Sequence, residues 1–115
     1  MSAVRLALAQ TNPVVGAFEA NLQHCLAAVA KAADAGANLV VFGEMALSGY
    51  PVEDLASRAD FLHRAQDHLA QFAQTLEANG FGEIAVVMGH PARANDTQEH
   101  QWAIAQNRAS LCLNG

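Results

Sequence analysis

Large and small residues alternate along residues 4–10, where Val4, Leu6 and Leu8 are set against Arg5, Ala7 and Ala9. A period of two predicts a strand with one large-residue face and one small-residue face. Asn12-Pro13 breaks the pattern and Gly16 adds a second flexible point. From Phe18 the period changes. Phe18, Leu22, Cys25, Leu26, Val29 and Ala33 recur every three or four residues, the spacing of one helical face. That helix is expected to stop near Gly36, since glycine takes the left-handed conformation of a C-terminal cap at no steric cost. Residues 39–42, Leu-Val-Val-Phe, are apolar without alternation, as in a strand covered on both faces. Strand, helix and strand over residues 4–42 predict two parallel strands of one sheet joined by a right-handed crossover.

A loop over residues 43–53 follows, holding Gly49 and Pro51. A second helical stripe runs through Leu62, Ala65, Leu69, Phe72 and Leu76, with Arg64, Asp67, Gln71, Gln74 and Glu77 largely off it, and Asn79-Gly80 ends it. Residues 84–89 read as another apolar strand, and residues 102–113, after a polar loop over 95–101, as a further one. The fold class is α/β with a mostly parallel sheet. Asn114-Gly115 is a strong hairpin signal with its returning strand outside these residues. The chain therefore reads as one partial domain, residues 1–115, truncated after residue 115. The alternative is a complete small α/β domain with a frayed tail.

Charge narrows the partners. The 115 residues carry a formal net charge of −5, and the bases Arg5, Lys31, Arg58, Arg64, Arg93 and Arg108 are scattered, with Lys31 the only lysine. Nucleic-acid binding needs clustered Lys and Arg on phosphates, so no nucleic-acid partner is expected. No apolar run approaches the roughly 18 residues of a membrane span, and the N-terminus lacks the basic start of a signal peptide. Two cysteines, Cys25 and Cys112, make neither a disulfide framework nor a zinc site. These features lead to the expectation of a cytoplasmic protein with no membrane partner.

The chemistry concentrates after the second strand, in Phe42-Gly43-Glu44-Met45-Ala46-Leu47-Ser48-Gly49-Tyr50-Pro51. A carboxylate stands at the C-terminal end of a parallel strand, the edge where open α/β sheets bind ligands. With Phe42, Met45 and Leu47 around it, Glu44 is expected to be partly desolvated and usable as a proton acceptor. The plain alternative is an ordinary loop carboxylate capping a helix or facing water.

The run from Leu39 to Leu55, together with Ala7-Leu8-Ala9-Gln10-Thr11-Asn12-Pro13-Val14-Val15-Gly16 and Asn21-Leu22, resembles the carbon–nitrogen hydrolase (nitrilase) superfamily. Within it, Gly-Tyr-Pro-x-Glu-Asp-Leu, ending at Leu55, is most similar to the amidase half of the glutamine-dependent NAD synthetases. One position departs from the pattern, Gly43, where the family usually has proline. The resemblance implies a four-layer α-β-β-α sandwich, of which this chain is the N-terminal part, often assembled into homo-oligomers. It implies a Glu-Lys-Cys triad that hydrolyses glutamine and supplies ammonia for amidation of deamido-NAD by a downstream synthetase domain. Glu44 matches the general base. Tyr50, six residues on, is a candidate substrate-binding residue through its hydroxyl, or else an anchor of its loop.

The other triad members do not map onto this chain. Lys31 reads as a solvated helix lysine, Cys25 as core, and Cys112 as a strand residue without the family's glycine-rich turn. The chain alone is expected to be inactive, with no cofactor of its own; ATP is implied for the parent synthetase. Ser48 reads as a turn residue, and Glu53 and Asp54 as acids near a helix N-terminus. His63 and Asp67, one helical turn apart, read as a surface pair rather than a metal site, and His24, His68, His90 and His100 show no ligand spacing. The segment from Thr11 to Gly16 has one glycine, too few for a dinucleotide-binding loop. A free-standing amidase of the same superfamily, or a noncatalytic interaction module built on an open apolar sheet face, are the competing readings.

Overall fold

The computed structural model describes residues 3–50, 52, 55, 58–93 and 105–114. Its elements are β1 (Leu6–Ala9), α1 (Phe18–Asp34), β2 (Leu39–Phe42), α2 (Ala59–Ala78), β3 (Ala85–Arg93) and β4 (Ala105–Cys112). The strands lie in the order β1-β2-β3-β4. β1 and β2 are parallel, with Leu6 opposite Leu39 and Ala9 opposite Phe42. β2 and β3 are also parallel, and β4 returns antiparallel to β3.

This register puts Leu6, Leu8, Leu39, Val41, Val87 and Leu111 on one face, and Ala7, Ala9, Val40, Phe42, Val86, Met88 and Cys112 on the other. The second face carries the core. Phe18, Leu22, Cys25 and Val29 of α1 and Phe61, Leu62, Ala65, Phe72 and Leu76 of α2 pack into one buried cluster with Val40, Phe42, Val86 and Met88. Phe42 and Phe72 meet edge to face across the sheet–helix interface with ring centroids 6.1 Å apart, and Phe18 and Phe61 join the two helices at 5.1 Å.

The two-sided cover expected for β2 is not what the structure has. Val40 and Phe42 are buried while Leu39 and Val41 are half-buried, and on the same face Leu6, Leu8 and Leu111 are 51%, 69% and 64% exposed. The reason is topological. When successive parallel strands advance in one direction across a sheet, crossovers of one hand deliver their helices to the same side. Both helices therefore share one face, and in β1 it is the small-residue face, Ala7 and Ala9, that meets them.

Both helices end as the pattern predicted. At α1, Gly36 has φ +81°, its N–H donates to Ala33 O and the Ala37 N–H donates to Ala32 O. That pair of bonds is a Schellman motif, which satisfies carbonyls the last turn would leave open. Gly80 repeats it at α2, with the Phe81 N–H on Leu76 O at 2.8 Å. β3 runs beyond the predicted 84–89, through Pro91 to Arg93. Past Val87 it pairs with β4 alone, and a strand with one free edge tolerates a residue without an N–H. β4 spans Ala105–Cys112; the earlier part of the expected strand, from Trp102, lies outside the described residues. So does Gly115, although Asn114 has the positive φ, 58°, that an Asn-Gly turn requires. Among the described residues no helix is long and apolar enough to cross a membrane.

Candidate active site

β2 delivers the chain into a tight turn at the C-terminal edge of the parallel strands. Met45, directly after Glu44, holds φ +56° although it is not glycine. Such a conformation persists only when its surroundings impose it. Here Met45, Ala46, Leu47 and Ser48 are all buried, and the Gly49 N–H closes the turn on Met45 O at 2.8 Å. The Ser48 hydroxyl donates to Gly49 O at 3.2 Å, the turn role expected of it.

A second tie comes from the loop after β1. Asn21, only 2% exposed, accepts from the Val14 N–H at 3.0 Å. Its amide donates to Val14 O at 2.8 Å and to Leu47 O at 2.9 Å. One buried amide thus joins α1, the loop after β1 and the turn after β2. The Gly16 N–H adds a bond to Ser48 O at 2.9 Å. Glu44 is therefore carried on a turn held from both sides.

The Glu44 side chain itself is exposed, so the desolvation expected from its apolar neighbours is absent. Those neighbours, Phe42, Met45 and Leu47, turn inward to the core instead. Glu44 nonetheless borders two hollows. One, about 390 Å³, lies against Leu8, Gln10, Thr11, Pro13 and Ala46. The other, about 430 Å³, lies against Val87, Gly89, Asn107 and Arg108. The Asn107 amide of β4 donates a hydrogen bond to Glu44 Oε1. Beneath the turn, β3 comes close: a Cβ placed on Gly89 would stand 2.7 Å from Gly43 O, 3.0 Å from Glu44 Cα and 3.1 Å from Met45 N. Only glycine permits that approach.

Tyr50 is 64% exposed and is not among the described residues that line either hollow. Lys31 is exposed on α1, beside a hollow formed with Ala7, Leu8 and Ala28 rather than beside Glu44. Cys25 is buried, and burial pushes its thiol up to about 12. Burial raises Cys112 as well. Neither is a poised nucleophile, since the thiolate is the reactive form. His63 Nε2 and Asp67 Oδ2 form the expected exposed pair at 3.5 Å, and among the described residues no group of ligands could hold a metal. Glu53, Asp54 and His100 lie outside the described residues.

Sequence spacing set His90 aside as a ligand and gave no sign of its burial. It is 5% exposed, with Nδ1 donating to Pro91 O at 3.1 Å and Nε2 accepting from the Ser110 hydroxyl at 2.7 Å. Burial lowers its pKa from the ordinary value, the Pro91 carbonyl opposes that, and the Arg108 charge adds to it. Sequence reasoning missed Asn107 and Gly89. Their link to Glu44 crosses strands that are far apart in sequence, and no local spacing signals it. Asn21 stood inside a motif whose physical reason only the folded contacts supply.

The carbon–nitrogen hydrolase family profile matches residues 5–109. A glutamine-dependent NAD(+) synthetase of Thermotoga maritima is 43% identical over 89 residues, 77% of this chain and 15% of that protein. One from Xylella fastidiosa is 34% identical over 113 residues, 97% of this chain and 18% of that protein. The chain thus spans less than a fifth of the length of these curated relatives. Among solved structures, a glutamine-dependent NAD(+) synthetase from Cytophaga hutchinsonii has a similar fold, with TM-score 0.82 and 24% identity over 98% of this chain and 17% of that one. An amidase from Nesterenkonia sp. matches at TM-score 0.61 and 26% identity, over 77% of this chain and 32% of its own. With a profile spanning nearly every residue from β1 to β4, the chain belongs to the carbon–nitrogen hydrolase family.

Proposed function

We propose that this chain is the N-terminal part of a glutamine-hydrolysing amidase domain in a glutamine-dependent NAD synthetase, with Glu44 as its general base. The observation that carries the reading is the position of Glu44. It stands on a braced turn at the C-terminal edge of parallel strands, with a hollow on each side. Ligands of open parallel sheets bind at that edge. The agreement of the curated relatives on one activity supports the substrate class.

In this reading Glu44 takes the proton of a thiol as the thiol attacks the glutamine side-chain amide, and returns it to the departing ammonia. A thiol with an ordinary pKa near 8.5 gains from such a base at neutral pH. Lysine and cysteine of the triad come from other parts of the parent, because Lys31, Cys25 and Cys112 lie elsewhere, as described above. Tyr50 lines neither hollow, so in this reading its hydroxyl reaches the amide only in a pocket completed by the rest of the parent. The loop after β1 has a single glycine, not the spaced set of a phosphate-binding loop, so no ATP site is assigned to it. No step through the nucleotide is assigned to this chain, which acts in a cytoplasmic, homo-oligomeric parent by feeding ammonia to its synthetase domain.

Glu44→Gln in the full-length protein tests the reading. Loss of a general base costs roughly 10²–10⁴-fold, so glutamine-dependent synthesis should fall by that factor while synthesis from free ammonia is spared. Equal loss of both would remove Glu44 from the glutaminase. One observation favours a second reading: the exposed Leu6, Leu8 and Leu111 form an apolar face suited to a noncatalytic interaction module. A parent in which Glu44→Gln leaves every activity unchanged would select it.

A further inference from the structure

We propose that Asn107 is a positioning residue for Glu44, fixing which carboxylate oxygen receives the proton; this rests on the reading of Glu44 as the general base. Three observations carry it. The first is the bond itself, from the Asn107 amide to Glu44 Oε1, joining residues 63 apart in sequence. The bond is made to one carboxylate oxygen, Oε1, and so distinguishes it from Oε2.

The second is how β3 and β4 act together. Gly89 and Ala109 stand opposite each other, and so do Pro91 and Asn107, two positions further along the pair. All four share the sheet face that carries Leu8 and Val41. Gly89 presses on the backbone of residues 43–45, and Asn107 reaches the side chain of the same glutamate. Backbone and carboxylate are thus gripped by neighbouring positions of one hairpin. Asn107 borders only the second of the two hollows, so its bond draws Oε1 to the β4 side.

The third observation is Gly43. Proline in that place would lock φ just before the glutamate. Glycine leaves the torsion free, and a Cβ there would meet nothing within 4 Å. The turn backbone is held by Asn21 and Gly16, but the torsion just before Glu44 is not locked, so the orientation of its side chain depends on contacts from β3 and β4. An amide also suits the task. It donates to the charged carboxylate, a stronger bond than one between neutral groups, and stays neutral itself at every working pH.

The test uses the full-length protein with Asn107→Ala and Asn107→Asp, and Glu44→Gln as reference. Asn107 is exposed, so truncating it leaves the core untouched, and synthesis from free ammonia reports a folded protein. Loss of a donor to a charged acceptor is worth roughly a factor of ten or more, and the loss should appear in kcat for glutamine hydrolysis with KM little changed. Asn107→Asp keeps the shape but sets a second carboxylate against Glu44, so it should be at least as impaired as Asn107→Ala. A role in strand packing alone would spare the isosteric Asp variant. Wild-type kcat in both variants, or an Asp variant that recovers activity, overturns the proposal while Glu44→Gln remains inactive. Should Glu44→Gln itself keep glutamine-dependent activity, the general-base reading fails, and this inference with it.

Discussion

Replacing Gly89 with alanine probes the contact on which the turn rests. The added Cβ would lie 2.7 Å from Gly43 O, against an ordinary contact of 3.4 Å. That oxygen must retreat by about 0.7 Å, and Glu44 Cα and Met45 N by somewhat less. The three atoms belong to backbone, which cannot rotate away as a side-chain tip does. They also flank Met45, whose positive φ, 56°, leaves little slack. Overpacking of this kind costs about 1–3 kcal/mol. On the proposed general-base reading of Glu44, a displacement of several tenths of an ångström costs roughly tenfold in rate, given about 10²-fold for 1 Å. Thermal melting of the full-length protein and glutamine-dependent kcat measure the two effects. Gly43→Ala is the matched comparison. Its Cβ meets nothing within 4 Å and its φ is not positive, so it should gain about 0.4–1 kcal/mol by restricting the unfolded chain. A Gly89→Ala protein that melts and turns over like the wild type would refute the close-approach argument.

Two further outcomes test the bracing and the buried imidazole. Asn21→Ala removes the amide's bonds to Val14 N–H and Leu47 O and leaves Val14 O with the Ala17 N–H alone; chemical denaturation should register a loss of about 2–4 kcal/mol, and a change within 0.5 kcal/mol would show that water replaces the amide freely. His90 should make stability depend on pH. The unfolded chain takes up its proton near the ordinary value of 6.5, whereas burial lowers the folded value. Its contribution is therefore complete above that pH and is lost as pH falls through the folded value. Melting midpoints of wild type and His90→Gln compared between pH 7.5 and 5 should converge toward the acid end; parallel curves would contradict the assignment.

Local pattern was enough for much of this fold. Period two at residues 4–10 and period three to four from Phe18 placed the first strand and helix, because side-chain burial on one face is a local property of the backbone. Gly36 and Gly80 marked the helix ends for an equally local reason, the left-handed residue of a Schellman cap. Glu44 was legible as a carboxylate after a parallel strand and as part of a family motif. Its surroundings were not. Apolar neighbours in sequence implied desolvation, yet those neighbours point into the core while the carboxylate stays outside. The strand Leu39–Phe42 looked two-sided because all four residues are apolar, but both helices pack on the same face of the sheet.

Sequence by itself determined the α/β class, the order of elements, the inert setting of Cys25 and the identity of the acid at the sheet edge. Tertiary structure alone decided what holds that acid. Gly89 beneath the turn, Asn107 on its carboxylate and Asn21 between two loops act across 26 to 63 residues of chain. Contacts at such separations arise only when strands are brought into register, and no periodicity within one element records them.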